Sequence, residues 1–401
     1  MRVALASIHP RPLSGQIEGL VGLAQALQAQ GHSVQVVSAF PNRDLLGANR
    51  SQLASRSQRI ILDQPSRMTR ILVRLVRLAP QVDVIQLNLP TPAFAIYADL
   101  LQTLVRVPVL VGYEAHLVNA RDLLRLDRLR AAPDFYLPRL LINNHLVARL
   151  TWHRAAGYVV SSQYQRAELI SLGGEPQHIH LLPPVLPQDK LVRAPRARAR
   201  AALPAGRLVT YVGHYNHVKG VDVLVRAFQS LAPRVPDARL VLAWSGIGSS
   251  RRVEQLLASR ALEERVIRLG QLRVPDLLSA SDVVVLPYRL TIGQAAYPAT
   301  LLEVLAANVP LVTTDLPVLR ELTESGKTAS LVPPDDPIAL AAAIERVLNE
   351  PAVAARMVEA QREWVQQIQP QRVVKEYERL YGQVIARQAR VLLPAQDRER
   401  L

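Results

Sequence analysis

Residues 208–228 have the sequence LVTYVGHYNHVKGVDVLVRAF. The apolar run Leu208–Val212 predicts a strand ending at Gly213, because continuous apolar runs of this length are typical of strands covered on both faces. A polar loop follows, and Lys219-Gly220 opens a helix. A strand joined to a helix by a short loop is the repeating unit of a parallel sheet, so this stretch indicates an α/β fold.

The same alternation continues toward both ends of the chain. In the first half, the predicted strands are Arg2–Ser7, Ser33–Ser38, Arg59–Asp63, Val82–Asn88, Val107–Gly112, Gly157–Ser161 and His178–Leu182. In the second half, they are Leu208–Val212, Leu240–Trp244, Val266–Leu269, Asp282–Pro287, Pro310–Thr313 and Ala329–Val332, and the closing helices begin near Pro337, Ala352 and Gln371.

Residues 183–207 interrupt this alternation with the proline-rich, basic sequence PPVLPQDKLVRAPRARARAALPAGR. A chain of 401 residues also exceeds what one hydrophobic core usually supports. We therefore expect two doubly wound, Rossmann-like α/β domains, over residues 1–186 and 187–368. Ligands of such sheets bind at the carboxyl ends of the strands, so we expect the two sheets to face each other across a cleft.

The composition excludes several classes of protein. The chain lacks cysteine, which removes disulfides, thiolate zinc sites and cysteine nucleophiles. No apolar run reaches the roughly 18 residues of a membrane span, and the start does not resemble a signal peptide, so we expect a soluble, cytoplasmic protein. The net charge is +15, but only 4% of residues are aromatic and no nucleic-acid-binding motif occurs, so nucleic acid is not the expected partner.

Two glycine-containing turns are candidate phosphate sites. Gly15 lies between the first strand and the first helix, where free backbone N–H groups suit a phosphate; the alternative is an ordinary turn. In the second turn, Lys219 can pair as a point charge with a pyrophosphate. Its alternative is a solvated surface lysine, but the chain has only four lysines, which favours the functional interpretation. These four are Lys190, Lys219, Lys327 and Lys375.

Two further residues are candidates for ligand contact. Glu303 lies in the apolar segment LLEVLAA, where a carboxylate is costly unless a partner such as a ribose hydroxyl satisfies it; the alternative is a glutamate at the helix surface. His116 follows a first-domain strand, although a lone loop histidine is usually structural. The histidine pairs 178/180 and 214/217 lack a third ligand at suitable spacing, so no metal site is expected.

Together these features resemble the retaining GT-B-fold glycosyltransferases of the large nucleotide-sugar-dependent family, a glycosyltransferase family 4-like group. The matching segments are SGQIEGLVGLAQALQAQGHSVQVVS (14–38), GYVVSSQYQRAELISLGG (157–174), YVGHYNHVKGVDVLVRAF (211–228) and LLEVLAANVPLVTTDLPVLRELTESGKTASLVPPDDPIALAAAI (301–344). The resemblance implies the GT-B fold, in which residues 369–401 form a helix that crosses back to the first domain and a tail.

The resemblance also implies roles for individual residues. It assigns the donor diphosphate to Gly15, Gly213, His214 and Lys219, the nucleotide ribose to Glu303, the donor sugar to His116, Gln294, Ala295 and Tyr297, and catalysis to His116 and Lys219. The sequence departs from the family pattern at three places. Ser14-Gly15 replaces a pair of glycines, His214 replaces an arginine, and Ala295 replaces the first glutamate of the E-x7-E pattern that ends at Glu303.

The activity implied is transfer of a sugar, with retention, from a nucleoside-diphosphate-sugar to a hydroxyl of a glycan, a lipid-linked acceptor or a small molecule. The nucleotide sugar is a co-substrate, and neither a resident cofactor nor a metal is expected. The alternative is a non-catalytic GT-B protein that binds a nucleotide sugar or a partner glycosyltransferase.

The positive charge bears on the acceptor. The segment SRMTRILVRLVRLAP (Ser66–Pro80) places Arg67, Arg70, Arg74 and Arg77 three or four residues apart among aliphatic residues, and the stretch Arg121–Arg154 is also rich in arginine and leucine. Basic amphipathic helices lie on anionic membrane surfaces. These segments have two open interpretations: peripheral attachment at the inner face of the membrane, or a solvated helix face.

Overall fold

The computed structural model describes residues 1–8, 15–38, 64–113, 115–117, 136, 144–150, 155–191, 195–201, 203–248, 251–258, 262, 264–270, 273–291 and 298–392. The chain divides into two compact units. The first unit contains residues 1–187 and the chain from residue 368 onward, and the second lies within residues 188–367. Among the described residues, each unit is built on one parallel six-stranded sheet.

The strands of the first sheet are β1 (Arg2–Ser7), β2 (Ser33–Ser38), β3 (Val84–Leu89), β4 (Val109–Tyr113), β5 (Gly157–Val160) and β6 (Ile179–Leu181). Their order is β2-β1-β3-β4-β5-β6, and every neighbouring pair is parallel. The direction of winding reverses between β1 and β3, which is where ligands of such sheets bind. The predicted strand Arg59–Asp63 lies outside the described residues.

The first-unit helices before the boundary are α1 (Gly15–Ala29), α2 (Gln64–Leu78), α3 (Ile96–Leu104), α4 (His145–Leu150) and α5 (Gln163–Ser171). Alternate residues of β1 enter two cores, one on each face of the sheet. Ala4 and Ala6 pack with Ile71 and Leu75 of α2, whereas Val3 lies in the core of the opposite face. Because both faces are covered, the strands carry continuous apolar runs.

The strands of the second sheet are β7 (Arg207–Tyr215), β8 (Ala238–Gly248), β9 (Val266–Leu269), β10 (Val283–Leu286), β11 (Leu311–Thr314) and β12 (Ser330–Val332). Their order is β12-β11-β10-β7-β8-β9, again parallel throughout. The direction of winding reverses beside β7, so the carboxyl ends of β7 and β10 form the expected ligand position.

The second-unit helices are α6 (Gln188–Leu191), α7 (Arg196–Ala201), α8 (Val221–Leu231), α9 (Arg251–Leu257), α10 (Val274–Ala280), α11 (Ala299–Ala306), α12 (Pro317–Leu322), α13 (Pro337–Asn349) and α14 (Pro351–Val365). The proline- and arginine-rich segment thus carries two short helices, α6 and α7. Within the described part of the chain, no helix is long and apolar enough to span a bilayer.

The closing helix α15 (Pro370–Leu392) belongs to the first unit. Val373 and Tyr377 enter the core that also contains Val3. The Tyr381 hydroxyl donates a 2.7 Å hydrogen bond to Oε1 of Gln86 on β3. These contacts fix the helix on one face of the first sheet. The predicted α/β fold class, with two Rossmann-like sheets, is confirmed.

Candidate functional site

The turn after β7 is pressed against the end of β10. Gly220 adopts a left-handed conformation with φ of +65°, and a Cβ atom there would lie 1.9 Å from the carbonyl oxygen of Pro287. Only glycine fits this close approach. The Asn216 side chain accepts a 3.1 Å hydrogen bond from the Lys219 backbone N–H and so caps the short turn His217–Lys219.

The buried ion pair of Arg289 and Asp222 is hydrogen-bonded to this turn. Nη1 and Nη2 of Arg289 donate to the two carboxylate oxygens of Asp222 at 2.7 and 2.8 Å, and Nη1 also donates to the His217 carbonyl at 2.9 Å. Burial opposes ionisation of Asp222, but the hydrogen bonds and charge of Arg289 hold the pKa of this carboxyl below its usual value. The pair therefore holds the backbone from which Lys219 projects.

The Lys219 side chain lies over an aromatic ring. Its Nζ is 4.1 Å from the ring centroid of Tyr288, which lies two residues beyond the end of β10. Loss of solvent lowers the pKa of Lys219 from 10.5 to about 7. An amine with this pKa is readily protonated when an anion binds nearby, because the anion stabilises the charged form.

Glu303 lies in the same neighbourhood. Burial raises the pKa of the Tyr288 hydroxyl, and the negative charge of Glu303 raises it further. The Glu303 side chain is only 5% exposed, and its Oε1 is 3.0 Å from Nζ of Lys190, which is 9% exposed. Lys190 lies on α6, at the start of the second unit, so the carboxylate of Glu303 is stabilised by a cation from a distant part of the sequence.

The strand β7 ends later than predicted, so that His214 lies within it. The prediction ended the strand at Gly213, whereas β7 continues to Tyr215. The register shifts between Gly213 and Tyr215, and this irregularity lets Tyr215 pair with Gly248 of β8. Gly213 takes a φ of +149°, and the His214 carbonyl accepts a 2.6 Å hydrogen bond from the Tyr211 hydroxyl.

The first unit holds the other two described candidates. Gly15 is the first residue of α1, the helix that follows β1. His116 is 1% exposed, its Nδ1 lies 3.5 Å from Oε2 of Glu168, and its ring meets that of Tyr164 edge-on at 5.0 Å. The other oxygen of Glu168 accepts a 2.9 Å hydrogen bond from Leu117 N–H. The roles of Gly15 and His116 toward a donor stay predictions.

Three predicted sugar-binding residues, Gln294, Ala295 and Tyr297, lie outside the described residues. Within the second unit, the structure thus brings Lys219 and Glu303 to the neighbourhood of Tyr288, and it places Gly213 and His214 on β7, just before the turn that carries Lys219. Across the described ranges, no group of three histidine or acidic side chains is arranged to hold a metal ion.

The sequence interpretation missed Lys190, Tyr288 and Arg289 as parts of this site. Lys190 is one of only four lysines, the same signal that drew attention to Lys219. Tyr288 and Arg289 follow Pro287 at the carboxyl end of a strand, where ligand-contacting residues gather. The pairing of Arg289 with Asp222 is not encoded by spacing, because the two residues lie on separate elements.

Two units, each built on a parallel Rossmann-like sheet, are the architecture of the GT-B class of fold. Two family models match the chain, Glycosyltransferase Family 4 over residues 14–189 and Glycosyl transferases group 1 over residues 196–364. The chain belongs to the GT-B glycosyltransferases of the family 4 type. The resemblance to GT-B glycosyltransferases of the family 4 type is therefore confirmed.

Known proteins similar to this chain agree with that membership. It is 33% identical over 175 residues to alpha-D-kanosaminyltransferase of Streptomyces kanamyceticus, a match covering 43% of this chain and 44% of that protein. The chain spans about half the length of the curated relatives it matches.

Two solved structures share the fold over nearly the whole chain. Sucrose-phosphate synthase from Thermosynechococcus elongatus has a TM-score of 0.73 at 23% identity, covering 96% of this chain and 99% of that one. Anabaena HepE in complex with UDP has a TM-score of 0.68 at 16% identity, covering 96% and 100%.

Proposed function

We propose that this protein transfers a sugar, with retention, from a nucleoside-diphosphate-sugar to an acceptor hydroxyl. One observation carries the proposal: the Lys219 amine lies over Tyr288, in the neighbourhood of the buried Glu303 carboxylate, at the carboxyl ends of β7 and β10. A cation and a carboxylate at this position match the two chemically different parts of a nucleoside diphosphate.

The cationic side of the site serves the diphosphate. In glycosyl transfer, negative charge develops on the departing diphosphate, so a fixed cation stabilises the transition state more than the ground state. We assign this role to Lys219, with His214 and the backbone of the glycine turn as further contacts. Gly220 lets that backbone lie against Pro287 and fixes the position of the amine.

The acidic side of the site serves the ribose. An ionised carboxylate accepts hydrogen bonds at two oxygens, as the neighbouring hydroxyls of a ribose require. The pair with Lys190 involves Oε1 of Glu303 at 3.0 Å. Because a carboxylate has about four acceptor positions, it can bind Lys190 and ribose hydroxyls at the same time.

The chemistry proposed needs no protein nucleophile. The transition state resembles an oxocarbenium ion, and the leaving diphosphate accepts the acceptor's proton on the face that it leaves, which retains the configuration. The nucleotide sugar is the co-substrate, with no resident cofactor or metal. Since HepE has been solved with UDP-glucose, a uridine diphosphate sugar is the first donor to test.

The acceptor proposed is a hydroxyl of a glycan or lipid-linked compound delivered at the cytoplasmic membrane surface. The basic helix α2 supports this part of the proposal, because Arg70, Arg74 and Arg77 are exposed in the first unit. Exposed arginines near anionic lipids each contribute on the order of 1 kcal/mol to surface binding.

Calorimetric titration with UDP, GDP and ADP tests the nucleotide part of the proposal. We expect one of them to bind, and Lys219→Met to weaken that binding at least tenfold. Lys327→Met is the matched control, since Lys327 is an exposed lysine of the second unit. Unchanged affinity in Lys219→Met would overturn the site assignment.

Turnover is tested with the sugar donor of the nucleotide that binds. Release of the nucleoside diphosphate should require an acceptor, and NMR of the product should show the donor's anomeric configuration. An inverted product would contradict retention. Binding without turnover over a broad acceptor panel would favour the non-catalytic alternative.

A further inference from the structure

The apolar face of α2 is not available to a membrane. Its residues Met68, Ile71, Leu72 and Leu75 lie buried in the core of the first unit. The helix predicted from sequence to lie on lipid therefore presents mainly its arginines to solvent. Insertion into a bilayer requires an apolar surface from another element.

Helix α3 supplies such a surface. Ile96, Leu100 and Leu104 are spaced four residues apart, so they share one face of the helix, and each is about half exposed. Helix α3 packs against α2. The exposed aliphatic residues of α3 and the exposed arginines of α2 therefore lie on neighbouring helices.

Helix α4 extends the aliphatic surface. It packs against the turn Pro92–Phe94 that leads into α3, and its Leu146 and Leu150 are the most exposed leucines among the described residues. We name the exposed aliphatic side chains of these neighbouring helices, together with Val73 of α2, the aliphatic ridge. It consists of Val73, Ile96, Leu100, Leu104, Leu146 and Leu150, which are 42% to 74% exposed.

The charge around the ridge is strongly positive. Arg70, Arg74 and Arg77 are exposed on α2, and Arg149 is exposed on α4. The sequences of α2 and α4 contain no acidic residue, and α3 contains one, Asp99. Aliphatic side chains bordered by arginine complement a surface that is apolar inside and anionic outside, which is the interface of an anionic bilayer.

We propose that the aliphatic ridge and the exposed arginines of α2 and α4 bind the first unit to an anionic phospholipid bilayer. The ridge side chains enter the boundary between headgroups and acyl chains, while the arginines remain among the phosphates. This inference rests on the membrane-delivered acceptor of the proposed function and names the surface that would reach it. It does not require α2 to leave the core.

Vesicle flotation of the full chain tests the proposal without measuring activity. The vesicles are phosphatidylcholine alone, or phosphatidylcholine mixed with phosphatidylglycerol. We expect the protein to float with the mixed vesicles and to release as salt rises. The variant Leu100→Glu/Leu104→Glu should reduce bound protein at least tenfold. The matched control Ile338→Glu, at an aliphatic side chain 77% exposed in the second unit, should behave as the parent.

The arginines are tested separately. Arg74→Glu/Arg77→Glu should abolish the preference for phosphatidylglycerol, and Arg346→Glu, at an exposed arginine of α13 in the second unit, should not. Thermal unfolding and the affinity for whichever of UDP, GDP and ADP the parent binds should be unchanged in all variants, which separates this inference from the nucleotide site. Two results would contradict membrane binding through the ridge: the parent does not float, or no variant alters flotation. If nucleotide binds normally in either case, the proposed transfer stands.

A second copy of the chain is the competing occupant of the ridge. Sedimentation velocity over a range of protein concentration distinguishes it. A dimer that Leu104→Glu dissociates, in a protein that does not float with vesicles, would identify the ridge as a self-association surface and overturn the membrane proposal.

Discussion

Nζ of Lys190 lies 3.0 Å from Oε1 of Glu303, and both side chains are almost fully buried. The lysine comes from the short helix at the start of the second unit, and the glutamate from α11, inside the apolar segment LLEVLAA. A desolvated carboxylate without a cation is strongly disfavoured. Lys190 therefore supplies the countercharge of the buried Glu303 carboxylate and fixes its orientation at the end of the sheet.

Lys190→Met should weaken nucleoside diphosphate binding about tenfold, equivalent to about 1.4 kcal/mol. The reason is that an uncompensated Glu303 would take up a proton or turn away, and so lose its capacity to accept ribose hydroxyl protons. Calorimetry should show partial rescue by Lys190→Arg, which restores the cation. It should also show a much smaller effect on a nucleotide that lacks ribose hydroxyls.

The nucleotide affinity of Glu303→Gln is the value with which the Lys190 variants are compared. If Lys190 acts through Glu303, the double variant should bind no more weakly than Glu303→Gln alone, because the two changes remove one interaction. Tighter nucleotide binding by Lys190→Met would instead mean that Lys190 competes with the ligand. No effect of Glu303→Gln would remove the ribose assignment itself.

Nucleotide affinity should fall as the pH rises from about 7 to about 9. The Lys219 amine, with a pKa of about 7 in the free protein, must be protonated to pair with a diphosphate, and binding raises that pKa. Above pH 7, binding of the nucleotide is therefore accompanied by uptake of a proton at the Lys219 amine. Calorimetry in buffers of different ionisation enthalpy should detect this uptake, and Lys219→Arg should abolish it. Affinity that is flat over this range would contradict the role of Lys219.

Gly220→Ala should severely destabilise the second unit. Its Cβ would lie 1.9 Å from the Pro287 carbonyl oxygen, and alanine resists the φ of +65°. We expect a lowered Tm and loss of nucleotide binding, because the turn carrying Lys219 must move. Gly382→Ala is the contrasting substitution: Gly382 is exposed on α15 with no atom near the new Cβ. It should stabilise the protein by up to about 1 kcal/mol. A normal Tm in Gly220→Ala would show that the turn can relax.

Arg289→Lys should reduce both stability and nucleotide affinity. The substitution removes the bidentate hydrogen bonds to Asp222 and the hydrogen bond to the His217 carbonyl. These bonds hold the turn in place. Breaking a buried ion pair typically costs about 3 to 5 kcal/mol. We expect the lower end, because Asp222 keeps Arg226 and Arg252 as partners.

The control for Arg289 is Arg320→Lys, at a pair with Asp315 that is exposed to solvent and should contribute little to stability, because water and salt screen it. The pH dependence provides a second test. Because the folded pKa of Asp222 lies below its unfolded value of about 3.9, its stabilisation is present above that pH and is lost as the pH falls through the folded pKa. A Tm of Arg289→Lys equal to that of Arg320→Lys would contradict the supporting role.

Much of the fold was predictable because burial on both faces leaves a strong signature. Arg2–Ser7, Ser33–Ser38 and Val266–Leu269 were predicted with the bounds observed. The end of β7 was not, because the irregularity after Gly213 depends on pairing with β8 and leaves no periodic signal. The basic amphipathic character of α2 was also visible, but its sequence could not show whether lipid or the protein core covers its apolar face.

The sequence by itself determined the alternation of strands and helices and the family. It also identified Lys219 and Glu303 as candidates for ligand contact, because local patterns and short motifs encode these features. Only the tertiary structure showed that Lys190 reaches Glu303, that Arg289 holds Asp222, and that the exposed aliphatic residues lie on α3 and α4. Such relationships join residues far apart along the chain. They follow from how the elements pack, since a buried charge or an exposed leucine is defined by its surroundings and not by its neighbours in sequence.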